Sequence, residues 1–257
     1  MVMKSLPDTP KVSIITMTYN DCAHLEKCVT QILKQDYENI EYIIVDGGSS
    51  DGTHEIIQKA AQQLGDKLKW VSEPDHGLYD ALNKGIRMAT GDIVGLMCDE
   101  FADPHVLSDM VRQMQRDGTD GVHGDIDYMA DGKVIRKWRM GAGTAKKLRW
   151  GWMPGHPTLY VKREVYETYG FYKTDYKIAA DYEFMIRILK EDKVRLSYIP
   201  RVLVHMFHGE ESASTGGLKS YLASFGEGMR ALRENHMPHP FITTLRRTCM
   251  VLRQFVG

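Results

Sequence analysis

Two aspartates, Asp46 and Asp99, stand directly after short apolar runs, where predicted strands end and a ligand could bind. Asp46 follows the β-branched run 43–45 and opens a loop of glycine and serine, residues 47–53. A carboxylate in that place would accept hydrogen bonds from a nucleobase or a ribose, although it would repel a phosphate. Asp99 and Glu100 end a second apolar run, and carboxylate oxygens are ligands that Mg²⁺ prefers. The alternatives are structural: a turn-forming aspartate before two glycines, and an exposed acidic turn.

The loop after Asp46 lies between a predicted strand and a predicted helix. Strand, glycine-rich loop and helix form the arrangement of a nucleotide site at the carboxyl edge of a parallel sheet. The loop therefore first suggests a phosphate cradle. It does not contain the phosphate-binding motif GxxxxGK[ST], however, because no lysine follows its glycines.

A third polar stretch, residues 72–85, places two acids around a proline and then a helix that carries Asn83 and Lys84. Lys84 could neutralise the charge of a diphosphate. Helix capping by Asp75 and a solvated lysine explain the same spacing equally well.

In the second half of the chain, Asp181 begins a predicted helix after the apolar residues 178–180. An aspartate there has the chemistry of a general base, and Glu183 is its nearest rival. On spacing alone, the favoured role of Asp181 is that of a helix N-cap.

These residues need a scaffold, and the hydrophobic pattern predicts an α/β fold. Apolar β-branched runs alternate with segments of helical periodicity from residue 11 to residue 97. Repeated strand–loop–helix units predict a parallel sheet with right-handed crossovers and ligand sites at its carboxyl edge. The predicted strands are 11–17, 41–45, 68–72 and 93–97, and the predicted helices are 23–34, 54–64 and 79–89.

After Phe101 the pattern is looser. Alternating apolar residues around Asp131-Gly132, a turn pair, predict a β-hairpin. The tail, residues 219–257, predicts one or two amphipathic helices that are interrupted at 236–240. The other predicted elements are helices over 104–115, 163–169 and 180–190, hairpin strands over 121–128 and 133–139, and a strand over 158–161.

Composition indicates a soluble globular protein of 257 residues, with 43% hydrophobic and 26% charged residues. The formal net charge of −1 gives no global attraction to nucleic acid or membrane. Four scattered cysteines without a CxxC pair predict reduced thiols in a cytoplasmic protein. The N-terminal residues lack the apolar core of a signal peptide, and no stretch approaches the length of a membrane span.

Taken in order, the polar stretches resemble the family 2 glycosyltransferases of the GT-A fold. The matching runs are Thr18-Tyr19-Asn20, Asp46 to Thr53, Glu73 to Gly85, and Gly91-Asp92 leading to Asp99. The similarity is greatest to bacterial enzymes that build O-antigen and other surface polysaccharides, and it covers about residues 11–210. The resemblance implies a Rossmann-like, mostly parallel central sheet flanked by helices, with a helical C-terminal tail.

The resemblance also implies roles at a donor site. Thr18, Tyr19 and Asp46 would hold the nucleobase and ribose of a sugar nucleotide, usually a UDP-sugar, while Asp75 and Lys84 would line the pocket. The implied donor-binding residues are Thr18, Tyr19, Asn20, Asp46, Gly48, Ser49, Asp51, Asp75 and Lys84.

On the acceptor side, the run 179–183 matches the place where these enzymes carry the catalytic base, so the resemblance assigns that role to Asp181. The acceptor-side candidates are His156, which matches a histidine of similar enzymes, Trp152, whose ring could stack on an acceptor sugar, and Glu183, the rival of Asp181. A structural histidine and a partly buried hydrophobic loop are the alternatives for the first two.

The metal site departs from the family pattern. Asp99 would be the acid of a DxD-type site that binds Mn²⁺ or Mg²⁺, but the first acid of that pattern is missing, because Met97-Cys98 precedes Asp99. Cys98 is an unsuitable ligand for a hard ion. His205 or His208 is a further candidate ligand, as in GT-A enzymes where a late histidine completes the metal shell.

We therefore expect an inverting, metal-assisted transferase in residues 1–210, followed by an amphipathic helical extension in residues 211–257. It would move one sugar from a nucleotide-diphosphate sugar to a saccharide or lipid-linked saccharide. The basic, apolar tail predicts peripheral contact with the inner face of the cell membrane, and packing of the tail on the catalytic domain is the alternative. The rival functions are a sugar-nucleotide pyrophosphorylase and a non-catalytic nucleotide-sugar-binding protein.

Overall fold

The computed structural model describes residues 3–97, 99–207 and 217–255 of the chain. Its strands are β1 (Val12–Thr18), β2 (Ile40–Asp46), β3 (Leu68–Ser72), β4 (Ile93–Leu96), β5 (Glu100–Phe101), β6 (Gly121–Ala130), β7 (Lys133–Trp138), β8 (Tyr160–Lys162) and β9 (Leu196–Phe207). Its α-helices are α1 (Cys22–Leu33), α2 (Thr53–Leu64), α3 (Leu78–Met88), α4 (Val106–Asp117), α5 (Ala145–Leu148), α6 (Arg163–Tyr169), α7 (Ala180–Leu189), α8 (Gly217–Glu234) and α9 (Pro240–Arg253).

The strands form one sheet in the order β3-β2-β1-β4-β8-β6-β9-β5, with β7 paired to β6. As predicted, β3, β2, β1 and β4 are parallel, and α1, α2 and α3 connect them. β8 runs antiparallel to both β4 and β6, whereas β6 and β9 are parallel to each other. The sheet that we expected to be mostly parallel therefore has a parallel half and a mixed half. The α/β fold with flanking helices is confirmed.

Both faces of β1, β2 and β4 are buried, which explains their largely apolar runs, whereas the edge strand β3 is half-buried. Successive strand residues point to opposite faces, so Ile14 and Ile44 pack in one hydrophobic cluster while Ile15 and Ile43 pack in the other. A strand buried on both sides has no polar alternation, and β-branched residues suit it well.

The carboxyl ends of the parallel strands bring three polar residues into one row. The register pairs Thr18 of β1 with Asp46 of β2, and Asp46 with Ser72 of β3. The two loops that begin at Thr18 and Asp46 therefore start side by side, and a ligand at this edge can touch both of them.

The tail packs on the rest of the chain instead of standing apart from it. Ala231 and Leu232 of α8 and the following Met237 are buried in the cluster that also contains α7. Thr243 and Thr244, on the inner side of α9, are also buried. Within the described ranges, no helix is both long enough and apolar enough to cross a membrane.

Candidate functional site

A cavity of about 570 Å³ opens at the carboxyl edge of the parallel half of the sheet. Thr18 and Tyr19 line it from the end of β1, and Asp75 lines it from the connection between β3 and α3. Thr18 Oγ1 is buried and has no hydrogen-bond partner among the described residues, and the Tyr19 side chain is largely exposed. The cavity therefore offers a ligand an unpaired hydroxyl, an aromatic ring and a carboxylate.

The wall of this cavity is closely packed at Gly47. A Cβ added at Gly47 would lie 3.2 Å from Asp75 Oδ2 and 3.2 Å from the ring of Tyr19. Both distances are shorter than ordinary van der Waals contact, so a side chain here would displace the two groups that face the ligand.

Asp46 is fully buried at the end of β2. Its carboxylate accepts hydrogen bonds from the backbone N–H and the hydroxyl of Ser49, and from the hydroxyl of Ser72 at 2.5 Å. Gly48, between them, has a φ of +84°, which favours glycine. These contacts match the structural alternative, in which Asp46 shapes the loop. Contact between Asp46 and a base or ribose stays a prediction.

Asn20, Ser49 and Asp51 brace the two loops against each other. Asn20 accepts a hydrogen bond from Ser50 N–H at 2.8 Å, and Asn20 N–H donates to Ser49 Oγ at 2.7 Å. Asp51 accepts hydrogen bonds from the N-terminal end of α1 and from Thr53, whose hydroxyl lowers the pKa of Asp51 to about 2. These three predicted donor-binding residues hold the rim of the cavity in shape.

Lys84 is paired with acids. Its Nζ lies 2.7 Å from Asp75 Oδ1 and 3.0 Å from Glu73 Oε1, and the hydrogen bond to Asp75 raises the pKa of Lys84. Lys84 thus remains charged and fixes the carboxylate of Asp75 at the cavity. Contact between Lys84 and a diphosphate stays a prediction.

The candidate metal ligand Asp99 lies on the short turn between β4 and β5. Its Oδ1 is 3.2 Å from His24 Nε2, and this hydrogen bond raises the pKa of His24 to about 11. Among the residues that the structure covers, no group of three His, Cys, Asp or Glu side chains could hold a metal ion. One carboxylate suffices for Mg²⁺ or Mn²⁺ when a diphosphate supplies further oxygens, so the donor set fits an ion shared with a substrate.

His205 lies near this position in the sheet register. It pairs with Glu100 across β9 and β5, and with Asp127 across β9 and β6, so it stands beside the strand that follows Asp99. The other late candidate, His208, lies outside the described residues.

Asp181 stands in the first turn of α7, where it meets the first turn of α3. Its Oδ1 accepts the N–H of Tyr182 at 2.7 Å and lies 3.5 Å from the hydroxyl of Tyr79. That hydroxyl donates to the carbonyl of Ile178 at 2.6 Å. On the same helix, Leu78 and Ala81 line the cavity, so a single helical turn connects the cavity to Asp181.

His156 is partly buried, and the charge of Asp181 is near enough to act on its imidazole ring. Its Nε2 is 2.9 Å from the hydroxyl of Tyr172, and burial lowers the pKa of His156. The ring of Tyr172 stacks on that of Tyr79, with centroids 6.0 Å apart. One connected group therefore contains Asp181, Tyr79, Tyr172 and His156. This position of His156 is consistent with both interpretations, an acceptor-side residue and a structural histidine.

Glu183 has the contacts of a structural ion pair. It is fully buried, Arg187 lies 2.9 Å from it, Lys173 lies 3.1 Å from it, and Asn235 donates to it at 3.1 Å. Burial by itself would raise the pKa of Glu183, but Arg187, Asn235 and Lys173 together outweigh this effect, and the net shift is downward. This set of donors accounts for Glu183 without an acceptor, which separates it from Asp181.

Trp152 lies in the hydrophobic core and is only 5% exposed. Its Nε1–H donates to the carbonyls of Met140 and Gly141 at 3.1 and 3.2 Å, and its ring meets that of His123 edge to face. The expected stacking of Trp152 on an acceptor sugar is wrong for this conformation, because the ring is already covered. The buried alternative describes it.

Two residues at the site had no assigned role in the sequence analysis. Tyr79 has the periodicity of a core helix residue, and only the approach of α7 reveals its contact with Asp181. His24, in α1, carries no local signal, because its partner Asp99 lies far along the chain. Both roles depend on long-range contacts that a linear pattern does not contain.

Comparison with known proteins shows the family of the chain. The model of the glycosyl transferase family 2 matches residues 13–184. An uncharacterized glycosyltransferase of Mycobacterium tuberculosis is 27% identical over 254 residues, covering 92% of this chain and 88% of that protein. A PGL/p-HBAD biosynthesis glycosyltransferase of Mycobacterium bovis is 29% identical over 193 residues, covering 74% of each chain.

Solved structures share the fold. The mannosyltransferase PcManGT from Pyrobaculum calidifontis, in complex with GDP-Man and Mn²⁺, superposes with a TM-score of 0.67 at 23% identity, over 97% of this chain and 72% of that one. TarS residues 1–349 from S. aureus, in complex with UDP-GlcNAc, superposes with a TM-score of 0.72 at 17% identity, over 92% of this chain and 72% of that one. The family match spans most of the chain, from β1 into α7, so this protein belongs to the glycosyl transferase family 2.

Proposed function

We propose that this glycosyltransferase moves one sugar from a nucleotide-diphosphate sugar, with UDP as the expected nucleotide, to a saccharide or lipid-linked saccharide with inversion at C1. One observation carries the proposal: the first turn of α3 lines the cavity with Leu78 and Ala81 and contacts Asp181 through Tyr79. A donor in the cavity would thus have a carboxylate beside it, across a single helical turn.

The donor's nucleoside would bind at Thr18 and Tyr19. The unpaired Thr18 hydroxyl would exchange hydrogen bonds with the base or ribose, and the exposed Tyr19 ring would cover a planar base. Asp75 would accept a hydrogen bond from a ribose or sugar hydroxyl, since Lys84 holds it in place. Asp46 would support this surface from below and need not touch the ligand.

Asp181 would act as the general base. As the acceptor oxygen forms its bond to C1, the acceptor O–H proton passes to the Asp181 carboxylate, and the C1–O bond to the diphosphate breaks with its electron pair on the leaving oxygen. Attack from the face opposite the diphosphate inverts C1, so an α-linked donor gives a β-linked product. Tyr79 would help to hold the base in place, because its hydroxyl donates to the carbonyl of Ile178 and lies 3.5 Å from the Asp181 carboxylate.

Asp99 would hold a divalent ion, Mn²⁺ or Mg²⁺, against the diphosphate. Such an ion, when bound, supplies charge neutralisation for the departing nucleotide diphosphate. In this structure, the carboxylate of Asp99 forms an ion pair with the ring of His24. His205 is the second candidate ligand, because its strand neighbours Glu100.

The outer face of α9 supports an acceptor that is presented at a lipid surface. Phe241, Leu245 and Leu252 point to solvent and are 59%, 46% and 58% exposed, whereas the inner residues Thr243 and Thr244 are buried. This order of polarity is the reverse of an ordinary packed helix and leaves an exposed apolar stripe, in which the Phe241 ring meets that of Phe225 edge to face.

Positive charge surrounds the same stripe. Arg246 lies beside it with its guanidinium carbon 3.9 Å from the ring centroid of the exposed Trp150, and no acidic residue occurs in 235–257 or in 142–152. Apolar side chains flanked by arginine are the chemistry that binds anionic lipid headgroups. Leu245→Glu should therefore abolish sedimentation with phosphatidylglycerol vesicles. The exposed Leu33 serves as the matched control, and equal binding by Leu245→Glu and Leu33→Glu would argue against this surface.

A panel of nucleotide sugars tests the donor assignment. The unfolding midpoint of the protein should rise with one UDP-sugar in the presence of Mn²⁺, and should rise less when EDTA replaces the metal. Nucleotide release in the presence of an acceptor distinguishes a transferase from a binding protein. A preference for GDP-sugars would contradict the uridine assignment.

The variant Asp181→Asn tests the base. Transfer should fall by about a thousandfold or more, because the amide cannot take the acceptor proton, whereas the donor-induced midpoint shift should be unchanged. Asp175→Asn is the matched control, since Asp175 lies six residues earlier in an exposed ion pair with Arg230. Near-normal transfer by Asp181→Asn would remove Asp181 from this role.

A further inference from the structure

Glu227, on α8, binds the backbone that leads to Asp181. Its carboxylate accepts three hydrogen bonds of 2.9 Å, from the N–H groups of Lys177, Ile178 and Ala179. Three consecutive backbone donors directed at one carboxylate form a specific cradle, and hydrogen bonds to a charged acceptor are stronger than neutral ones. A glutamate from a separate helix thus holds the three residues that lead into α7.

The start of α7 has no side-chain cap of its own. Ala179 is its N-cap residue and has no side chain that can accept a hydrogen bond. The first N–H groups of a helix are otherwise unsatisfied, and a negative charge there is also favoured by the helix dipole. Glu227 accepts the N–H of Ala179 and brings its carboxylate to the start of the helix, and Asp181 follows two residues after Ala179.

Ile178 is held on both sides of its peptide backbone. Its N–H donates to Glu227, and its carbonyl accepts the hydroxyl of Tyr79. The same Tyr79 hydroxyl lies 3.5 Å from Asp181. The backbone that leads to Asp181 is therefore held by one contact from the cavity helix and one from the tail.

The rest of the same face of α8 grips the preceding segment. Arg230 pairs with Asp175, and Glu234 accepts from Lys173 at 2.8 Å and from Tyr176 at 2.9 Å. Positions 227, 230 and 234 recur at helical spacing, so one face of α8 follows the chain from residue 173 to residue 179. Only Glu227 among them binds the backbone next to α7.

We infer that Glu227 is a positioning residue for sugar transfer: it sets the backbone before Asp181 without touching the substrate. This inference rests on the proposed function, since it needs Asp181 as the base. The inference gives α8, in the C-terminal tail, a role in sugar transfer. The motifs at the strand ends do not indicate that role.

Amide hydrogen exchange on the full unliganded chain tests the contact independently of activity. The amides of 177–179 should exchange slowly in the unmodified protein and about tenfold or more faster in Glu227→Gln, which loses the charge and one acceptor oxygen. Glu234→Gln is the matched control, because it alters the same helix face without touching those amides. Fast exchange at 177–179 in the unmodified protein would overturn the inference, even if Glu227→Gln proved too unstable to study.

Kinetics test the consequence with the sugar nucleotide that gives the largest midpoint shift. Glu227→Gln should lower kcat by about 10- to 100-fold with an unchanged donor KM, because a small displacement of the base slows chemistry more than binding. Glu234→Gln should retain kcat within about twofold. Equal kcat values for the two variants would overturn the positioning role. A fully active Asp181→Asn variant would instead contradict the assignment of Asp181 as the base. The hydrogen-exchange result at residues 177–179 does not depend on that assignment, so the two failures can be distinguished.

Discussion

Replacing Glu41 with glutamine should destabilise the fold strongly and in a pH-dependent way. Glu41 is buried at the start of β2, and its carboxylate is bound by Ser13 at 2.7 Å, by the N–H and hydroxyl of Thr90 at 2.8 and 2.7 Å, and by Lys69 at 2.6 Å. The network joins β1, β2, β3 and the turn before β4, at the edge opposite the cavity. Its loss should therefore affect stability and leave nucleotide binding unchanged.

The pKa of Glu41 gives the magnitude. Burial alone would raise it, but hydrogen bonds from Lys69 and Thr90 outweigh burial and lower the pKa from 4.5 to about 2. A depression of this size corresponds to about 3 kcal/mol at neutral pH, and partial exposure of Lys69 reduces the expected value to about 2–3 kcal/mol. Because the folded-state pKa is the lower one, this stability is complete above pH 4.5 and is lost as the pH falls toward 2.

Urea unfolding of the unmodified protein and Glu41→Gln measures the effect. The difference in unfolding free energy should be about 2–3 kcal/mol at pH 7 and should shrink by about 1 kcal/mol at pH 3.5. Glu191→Gln, which removes an exposed partner of Lys193, should leave the unfolding midpoint unchanged. A loss below about 1 kcal/mol at pH 7, or a loss that does not change with pH, would refute this account of the network.

Three further substitutions separate packing from ligand binding. Gly95→Ala should lower the unfolding free energy by about 1–3 kcal/mol, since its Cβ would lie 2.3 Å from the ring of Tyr160, whose hydroxyl is tied to Leu96. Gly226→Ala, on open helix surface, should stabilise by about 0.5–1 kcal/mol, and comparable urea midpoints for the two variants would contradict the packing argument. Thr18→Val should leave stability equal or higher, because it removes a buried unpaired hydroxyl, yet weaken sugar-nucleotide binding by about tenfold in a titration. Unchanged affinity would exclude Thr18 from the donor contact.

The strands and helices with strong local patterns were predictable from the sequence. The predicted strand 68–72 and helix 163–169 have the observed bounds of β3 and α6, and Asp131-Gly132 forms the turn of the predicted hairpin, with positive φ at both residues. In contrast, β5 has two residues and α5 has four, so neither contains a full period of hydrophobic residues. Such elements exist because partners far along the chain pair with them.

The site was predictable as a set of loops but less so as individual contacts. The order of Asp46, Asp75, Asp99 and Asp181 along the chain identified the correct family. It was informative because the topology of the sheet brings the loops after successive strands to one edge. The sequence did not predict that Trp152 is buried or that Glu183 is fully paired. Met140 contacts Trp152, and Lys173 and Asn235 contact Glu183, from other segments of the chain. Residue type and spacing say which chemistry is available, whereas long-range packing decides which side chain is free to perform it.

The division of the site between early and late parts of the chain has a consequence for biosynthesis. The residues that line the cavity run from Met17 to Ala81, whereas the backbone before Asp181 is fixed by Glu227. The residues of the pocket leave the ribosome first, but Ile15 and Ile43, on the strands beneath it, share a hydrophobic cluster with Tyr182 and Leu232. The core under the nucleotide pocket is therefore complete only when α7 and α8 pack on the sheet, in the same step that places the base.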